Sequence, residues 1–169
     1  KLIFLDTRFF RSKLYGPKGK YVENLDPDAT ILGNSQWNWL ESELKDQFDF
    51  LIIFSSIQII AEDHPYEKWN NFPYEKEKLF NMLNKHNNKT LFVSGDRHRG
   101  GIYKESGIYE ITASSLNKSG SNFDETDANL IGKTYNQENY GSLEVSETKI
   151  NVLLKDINGG ILNMVSLKY

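Results

Sequence analysis

The four arginines of this chain fall in two short segments, Leu5-Asp6-Thr7-Arg8-Phe9-Phe10-Arg11 and Ser94-Gly95-Asp96-Arg97-His98-Arg99, whereas lysine is spread throughout. A planar, permanently protonated guanidinium suits places where a phosphate is held or a carboxylate is fixed by two parallel hydrogen bonds. Each segment also carries an aspartate, and the second adds a histidine two residues later. Asp6, Arg8, Asp96 and His98 converging on one spot would make a metal-assisted phosphoryl-transfer site. Gly95 permits a sharp turn and close approach to a ligand, and a carboxylate beside an imidazole suits Mn, Fe, Zn or Ca. Two structural readings stand beside the chemical one. The arginines can serve ion pairs alone, and Asp6 can be a partner of Arg8 that fixes the end of the first strand.

These residues need elements to carry them. Lys1–Leu5 is a short, nearly continuous apolar run and reads as a strand buried on both faces. Lys13 to Gly33 has glycine, proline and aspartate turns with little periodicity, so a long loop follows. From Asn34 or Ser35 as cap, Trp37, Leu40 and Leu44 recur at helical spacing to about Gln47. Phe50–Phe54 is a second apolar strand, ending in Ser55-Ser56-Ile57-Gln58. After Pro73 a second helix places Leu79, Met82, Leu83 and His86 on one face, and Leu91–Val93 then runs straight into Gly95-Asp96-Arg97-His98. Strand, helix, strand, helix, strand predicts βαβ units and a parallel sheet. Ligands of such sheets bind beyond the carboxyl ends of the strands, where Asp6/Arg8, Ser56/Gln58 and Asp96/His98 all fall.

Beyond these, Ile108–Thr112 is a further strand, and Ser114–Tyr140, rich in Ser, Asn, Asp and Gly, is a long excursion bordering the site or a partly disordered stretch. Ser142–Val145, Ile150–Leu154 and Ile161–Leu167 alternate in character, with a turn over Asp156–Gly160, and predict antiparallel strands. His64, in a loop beside Pro65, reads as a solvated histidine, with proton donor as the alternative, and His86 reads as a residue on the apolar face of the second helix or near its C-terminus, favoured by the helix dipole. Ser55 and Ser56 lack the elbow motif of a serine nucleophile.

At 169 residues with 38% hydrophobic and 13% aromatic content, one domain over residues 1–169 can bury a sizeable core. A net charge of −3 argues against a nucleic-acid surface, so an anionic substrate must be held locally. No apolar run reaches the ~20 residues of a membrane-spanning helix. The chain has no cysteine, which closes thiolate chemistry and disulfides.

Taken in order, Leu5-Asp6-Thr7-Arg8 with Arg11, Ile31-Leu32-Gly33 with Gln36-Trp37 and Trp39-Leu40, Ser55-Ser56-Ile57-Gln58, Lys68-Trp69 through Asn71-Phe72-Pro73, Ser94-Gly95-Asp96-Arg97-His98, Tyr109-Glu110-Ile111-Thr112 with Ser114-Ser115, and Asn139-Tyr140-Gly141 resemble the carboxyl-terminal half of the alkaline phosphatase D family, within the calcineurin-like metallophosphatase superfamily. The resemblance covers nearly the whole chain. It implies the C-terminal half of a four-layer α/β/β/α sandwich, a parallel βαβαβ unit followed by antiparallel strands, that hydrolyses phosphate monoesters or diesters. Two or more metal ions are implied, iron with calcium first and Mn or Zn as alternatives. Where the superfamily has G-H-x-H, Gly95-Asp96-Arg97-His98 has Asp for the first His, as the narrower family does. On this resemblance Asp96 and His98 hold metal, Arg8 and Asp6 serve catalysis, and Gln58, Arg97 and Trp69 are candidate substrate-binding residues.

The family's first metal ligands would lie upstream of Lys1, and no equivalent occurs in these residues. The resemblance therefore makes an upstream half of the same domain the expected partner, alongside a phosphate ester substrate, and favours an extracellular or periplasmic location. The chain by itself is expected to be a poor phosphatase. The alternative is a non-catalytic half-domain serving as a structural or binding module.

Overall fold

The computed structural model describes residues 1–86, 89–120 and 125–168. In chain order the elements are β1 (Leu2–Phe4), α1 (Gly33–Glu43), β2 (Leu51–Ser55), a single 3₁₀ turn (Trp69–Asn71), α2 (Pro73–Leu83), β3 (Thr90–Ser94), β4 (Gly100–Glu105), β5 (Ile108–Ala113), β6 (Asn139–Val145), β7 (Lys149–Asp156) and β8 (Ile161–Lys168). They form a five-stranded sheet of order β1-β2-β3-β5-β4 and a three-stranded sheet of order β6-β7-β8. The first is parallel from β1 through β5, with β4 antiparallel at its edge. The second is antiparallel throughout.

Side-chain alternation along the strands divides the core in two. Ile3, Leu5, Leu51, Ile53 and Phe92 pack with Trp37 and Leu40 of α1 and Leu79 and Leu83 of α2. On the other face Ile52, Leu91, Ile102 and Ile111 meet Ile150, Val152 and Leu154 of β7. The described residues thus build helices, a mixed sheet and a second sheet, three of the four layers of an α/β/β/α sandwich. Among them no helix is long and apolar enough to cross a membrane.

The structure corrects the sequence reading at several points. The first strand is covered on one face only: Leu2 and Phe4 are 60% and 65% exposed while Ile3 is buried. β1 is the edge of its sheet, and Phe4 is left stacked on Phe54 of the neighbouring strand with ring centroids 4.3 Å apart. The first helix begins at Gly33 and is not capped by Asn34 or Ser35. Its entry is held instead by Glu75 near the start of α2, whose carboxylate accepts from Ile31 N at 2.8 Å, Thr30 Oγ1 at 3.0 Å and Trp37 Nε1 at 2.8 Å. Thr30 Oγ1 in turn accepts from Gly33 N at 2.8 Å. β4 has no counterpart among the strands expected from the sequence. Its first two residues are Gly100 and Gly101; a side chain at Gly100 would run into Leu154 and Asn139, so glycine lets the two sheets approach there.

Candidate functional site

β1, β2 and β3 are hydrogen-bonded neighbours running the same way, so Asp6 to Arg8, Ser56 to Gln58 and Asp96 to His98 leave the sheet at one edge. Arg8 Nη2 lies 3.5 Å from Asp96 Oδ2, which joins the two arginine segments directly. Thr7 Oγ1 and Ser56 Oγ, 2.5 Å apart, tie the first segment to the second strand's exit.

The loop after β1 is made rigid by its own aspartate. Asp6 Oδ1 accepts from Arg8 N at 2.9 Å and Phe9 N at 3.0 Å, and these bonds, Phe9's first, hold the Asp6 carboxyl below the usual carboxylate range. Gln36 of α1 clamps the same residue from behind, its Oε1 accepting from Asp6 N and its Nε2 donating to Asp6 O, both at 2.8 Å. Asp6 therefore spends one oxygen on shaping the turn that presents Arg8.

Arg8 has a second partner that sequence reasoning missed. Glu67, nearly buried, pairs with Arg8 Nη1 and also lies 2.8 Å from Arg11 Nε, although that N–H is not directed at the oxygen. One carboxylate from the loop before α2 thus gathers both arginines of the first segment. No periodicity marks Glu67, because both of its partners are more than fifty residues away in the chain.

The second segment turns sharply. Asp96 and His98 have φ of 68° and 51°, and with Ser106 they are the non-glycine residues in the left-handed region among those described. Such backbone costs about 1–3 kcal/mol per residue and clusters where side-chain direction matters. Its effect is alternation: Asp96 and His98 point outward and are exposed, while Arg97 and Arg99 turn in and are buried. Arg97 pairs with Glu125, lies over the Tyr66 ring at 5.1 Å, and donates its backbone N–H to Ser114 Oγ at 3.0 Å. Burial pushes the Arg97 pKa down to about 10, so it stays protonated at neutral pH.

Other expected positions fall elsewhere. Trp69 is fully buried, donating from Nε1 to Ser55 Oγ at 3.1 Å and meeting Trp37 edge-on, so it does not line a pocket. Gln58 is also fully buried; its Nε2 donates to Thr112 Oγ1 at 2.8 Å. Ser55 Oγ donates to Ile57 O at 2.6 Å, a structural bond in keeping with the lack of an elbow motif around it. His64 is not solvated. It is buried, its Nδ1 accepts from Tyr66 N at 3.3 Å, and burial together with Arg97, Lys68 and Arg99 drives its pKa down to about 2. The excursion after β5 borders the site as expected: Lys118, Ser119 and Gly120 line a cavity with Tyr66 and Asp96 to Arg99.

A family model described as PhoD-like phosphatase matches residues 1–155. The chain belongs to the PhoD-like phosphatase family. A solved structure of PhoD aligns with 99% of the chain at a TM-score of 0.77 and 17% identity. A protein described as GAP50, the anchor in the inner membrane complex of Plasmodium, aligns with 79% at 0.64 and 20% identity. A dimetal phosphatase from Danio rerio aligns with 83% at 0.50 and 17% identity. At these identities the likeness is one of fold. The chain spans 38%, 42% and 40% of the lengths of those three structures. No curated protein sequence matches it.

Proposed function

We propose that this chain carries one side of a metal-dependent phosphoester hydrolase site, in which Asp96 and His98 are metal ligands and Arg8 holds the phosphoryl oxygens. The observation that carries the reading is the approach of Arg8 Nη2 to Asp96 Oδ2 at 3.5 Å, at the carboxyl edge of a parallel sheet in a PhoD-like chain. Both side chains are about half exposed, so the guanidinium can turn from Asp96 to a phosphate oxygen without leaving Glu67.

The donors fit a metal in type but not in number. A carboxylate and an imidazole suit an ion of mixed hardness. Among the described residues, however, no group of three or more His, Cys, Asp or Glu side chains could hold one. Asp96 and His98 would therefore be part of a centre whose remaining ligands come from polypeptide outside these residues, such as the upstream half that the family pattern implies. A metal bound there would supply a coordinated water of lowered pKa. Hydrolysis adds the oxygen of one water to phosphorus, breaks the ester P–O bond and delivers a proton to the departing alkoxide. In that reaction Arg8 offsets charge on the phosphoryl oxygens, Glu67 and Asp6 aim Arg8, and the left-handed turns at Asp96 and His98 present their side chains.

A non-catalytic binding role is the second reading. It is favoured by the lack of a third donor among the described residues and by the occurrence of the fold in a protein described as an anchor. The experiment compares the complete protein, with the upstream half that the family pattern implies, and its Asp96→Asn and His98→Ala variants for bound metal, turnover of an aryl phosphate monoester and diester, and thermal unfolding. Both side chains are exposed, so each variant should lose metal and turnover with little change in stability. Variants that keep full metal content and turnover would overturn the assignment.

A further inference from the structure

Arg8 approaches one side of the Asp96–His98 turn. Beside that turn lies a cavity of about 340 Å³ lined by Tyr66, Arg97, His98, Arg99, Lys118 and Gly120, together with Asp96 and Ser119. Its lining brings three cations and one carboxylate, in a chain whose net charge is −3. Glu125 sits against the two arginines, pairing with Arg97 Nη2 and lying 3.5 Å from Arg99 Nη1. Even with Glu125 counted, the described groups keep more positive than negative charge around the cavity.

The cavity is built rather than incidental. Arg97 and Arg99 are 9% and 2% exposed, so their guanidinium planes are fixed by packing. Arg99 Nη1 donates to Thr134 Oγ1 at 2.9 Å, and Arg97 is held against the Tyr66 ring. Arg97 Nε is buried and has no acceptor among the described residues, so Glu125 leaves part of this guanidinium's hydrogen-bonding capacity unused. Gly120 closes one wall, because any side chain there would strike the His98 carbonyl oxygen; only glycine lets this stretch of backbone lie so close to the site. Lys118 is exposed and supplies a mobile point charge at the rim.

We infer that this cavity is a subsite for a second anionic group, phosphate or carboxylate, carried on the alcohol part of the phosphoester, so that the preferred substrate bears two anionic groups. The inference rests on the phosphoester reading above, which places the reacting phosphoryl group between Arg8 and the Asp96–His98 turn. Fixed guanidinium groups complement a planar or tetrahedral oxyanion, and Tyr66 with the stacked Arg97 gives a flat wall for the carbon chain between the two charges.

The test titrates the isotopically labelled chain with orthophosphate and with pyrophosphate, a two-anion probe, and follows backbone amide shifts in the protein and its Lys118→Ala variant. Pyrophosphate should bind about tenfold more tightly than orthophosphate at equal ionic strength, the equivalent of about 1.4 kcal/mol for one added charge contact. Its shifts should include Tyr66, Arg97 and Gly120 as well as Arg8, and Lys118→Ala should lower pyrophosphate affinity about fivefold while leaving orthophosphate binding within about twofold. Equal affinities for the two probes, or an unchanged Lys118→Ala variant, would overturn the subsite. Shifts confined to Arg8 and Asp96 would also overturn it while leaving the phosphoester reading in place. Shifts confined to the cavity, with none at Arg8, would remove the phosphoryl position and with it the two-group substrate.

Discussion

Replacing Glu75 with alanine should cost this fold a large share of its stability. Glu75 occupies the third residue of α2, and its carboxylate serves donors from the loop before α1 and from α1 itself. Ile31 N and Trp37 Nε1, both at 2.8 Å, are buried, while Thr30 Oγ1 at 3.0 Å is half-buried and Leu32 N at 3.4 Å is a weak fourth. A buried donor left without a partner costs about 1–3 kcal/mol, and bonds to an ionised acceptor lie in the upper part of that range. Two such donors put Glu75→Ala at about 3–5 kcal/mol, against the ~5–15 kcal/mol typical of a whole domain. Glu75→Gln keeps one oxygen acceptor but turns an amide toward N–H groups, and should cost about 1–2 kcal/mol. In urea denaturation, with a slope of about 2 kcal/mol/M, Glu75→Ala should move the midpoint down by roughly 2 M with the slope unchanged. The same change should loosen the grip of Gln36 on Asp6, visible as faster amide exchange at Arg8 and Phe9, which donate to the Asp6 carboxylate. A loss below about 1 kcal/mol would refute the reasoning, because water would then be reaching donors that the packing should seal.

The buried His64 sets an acid limit: its folded pKa, about 2, lies below the ordinary 6.5, so the unfolded chain takes the proton first and stability is lost as pH falls below about 6.5. Between about pH 6.5 and 5 this should amount to about 2 kcal/mol, and His64→Gln should flatten that part of a stability-pH curve; equal slopes in the two proteins would contradict it. Gly120→Ala should push the His98 carbonyl away at a cost of about 1–3 kcal/mol, read as a shifted His98 amide and a lowered melting temperature, and a silent substitution would mean the wall is not tight. In the complete protein, Glu67→Gln should leave Arg8 unaimed, raising KM for a phosphoester about fivefold with kcat nearly unchanged; a loss confined to kcat would place Glu67 in the chemistry instead.

The two arginine segments, the parallel strands that carry them and the edge on which they emerge were all legible in the sequence. Apolar runs and helical periods are local signals, and the tendency of parallel sheets to bind ligands beyond the carboxyl ends of their strands converts strand order into a shared edge without any knowledge of packing. What completes the site was decided by contacts between distant residues. Glu67 reaches Arg8 and Arg11 across more than fifty residues, and Glu125 reaches Arg97 from 28 residues along the chain, beyond β4 and β5. β4 is hidden in the sequence because its paired glycines look like a turn until Leu154 is seen against them. β1 reads as doubly buried because its residues are apolar, but burial belongs to neighbours, and Leu2 and Phe4 stay largely exposed. His64 reversed from solvated to buried for the same reason. A residue's own type states what it tolerates, and only the packing of the whole chain states what surrounds it.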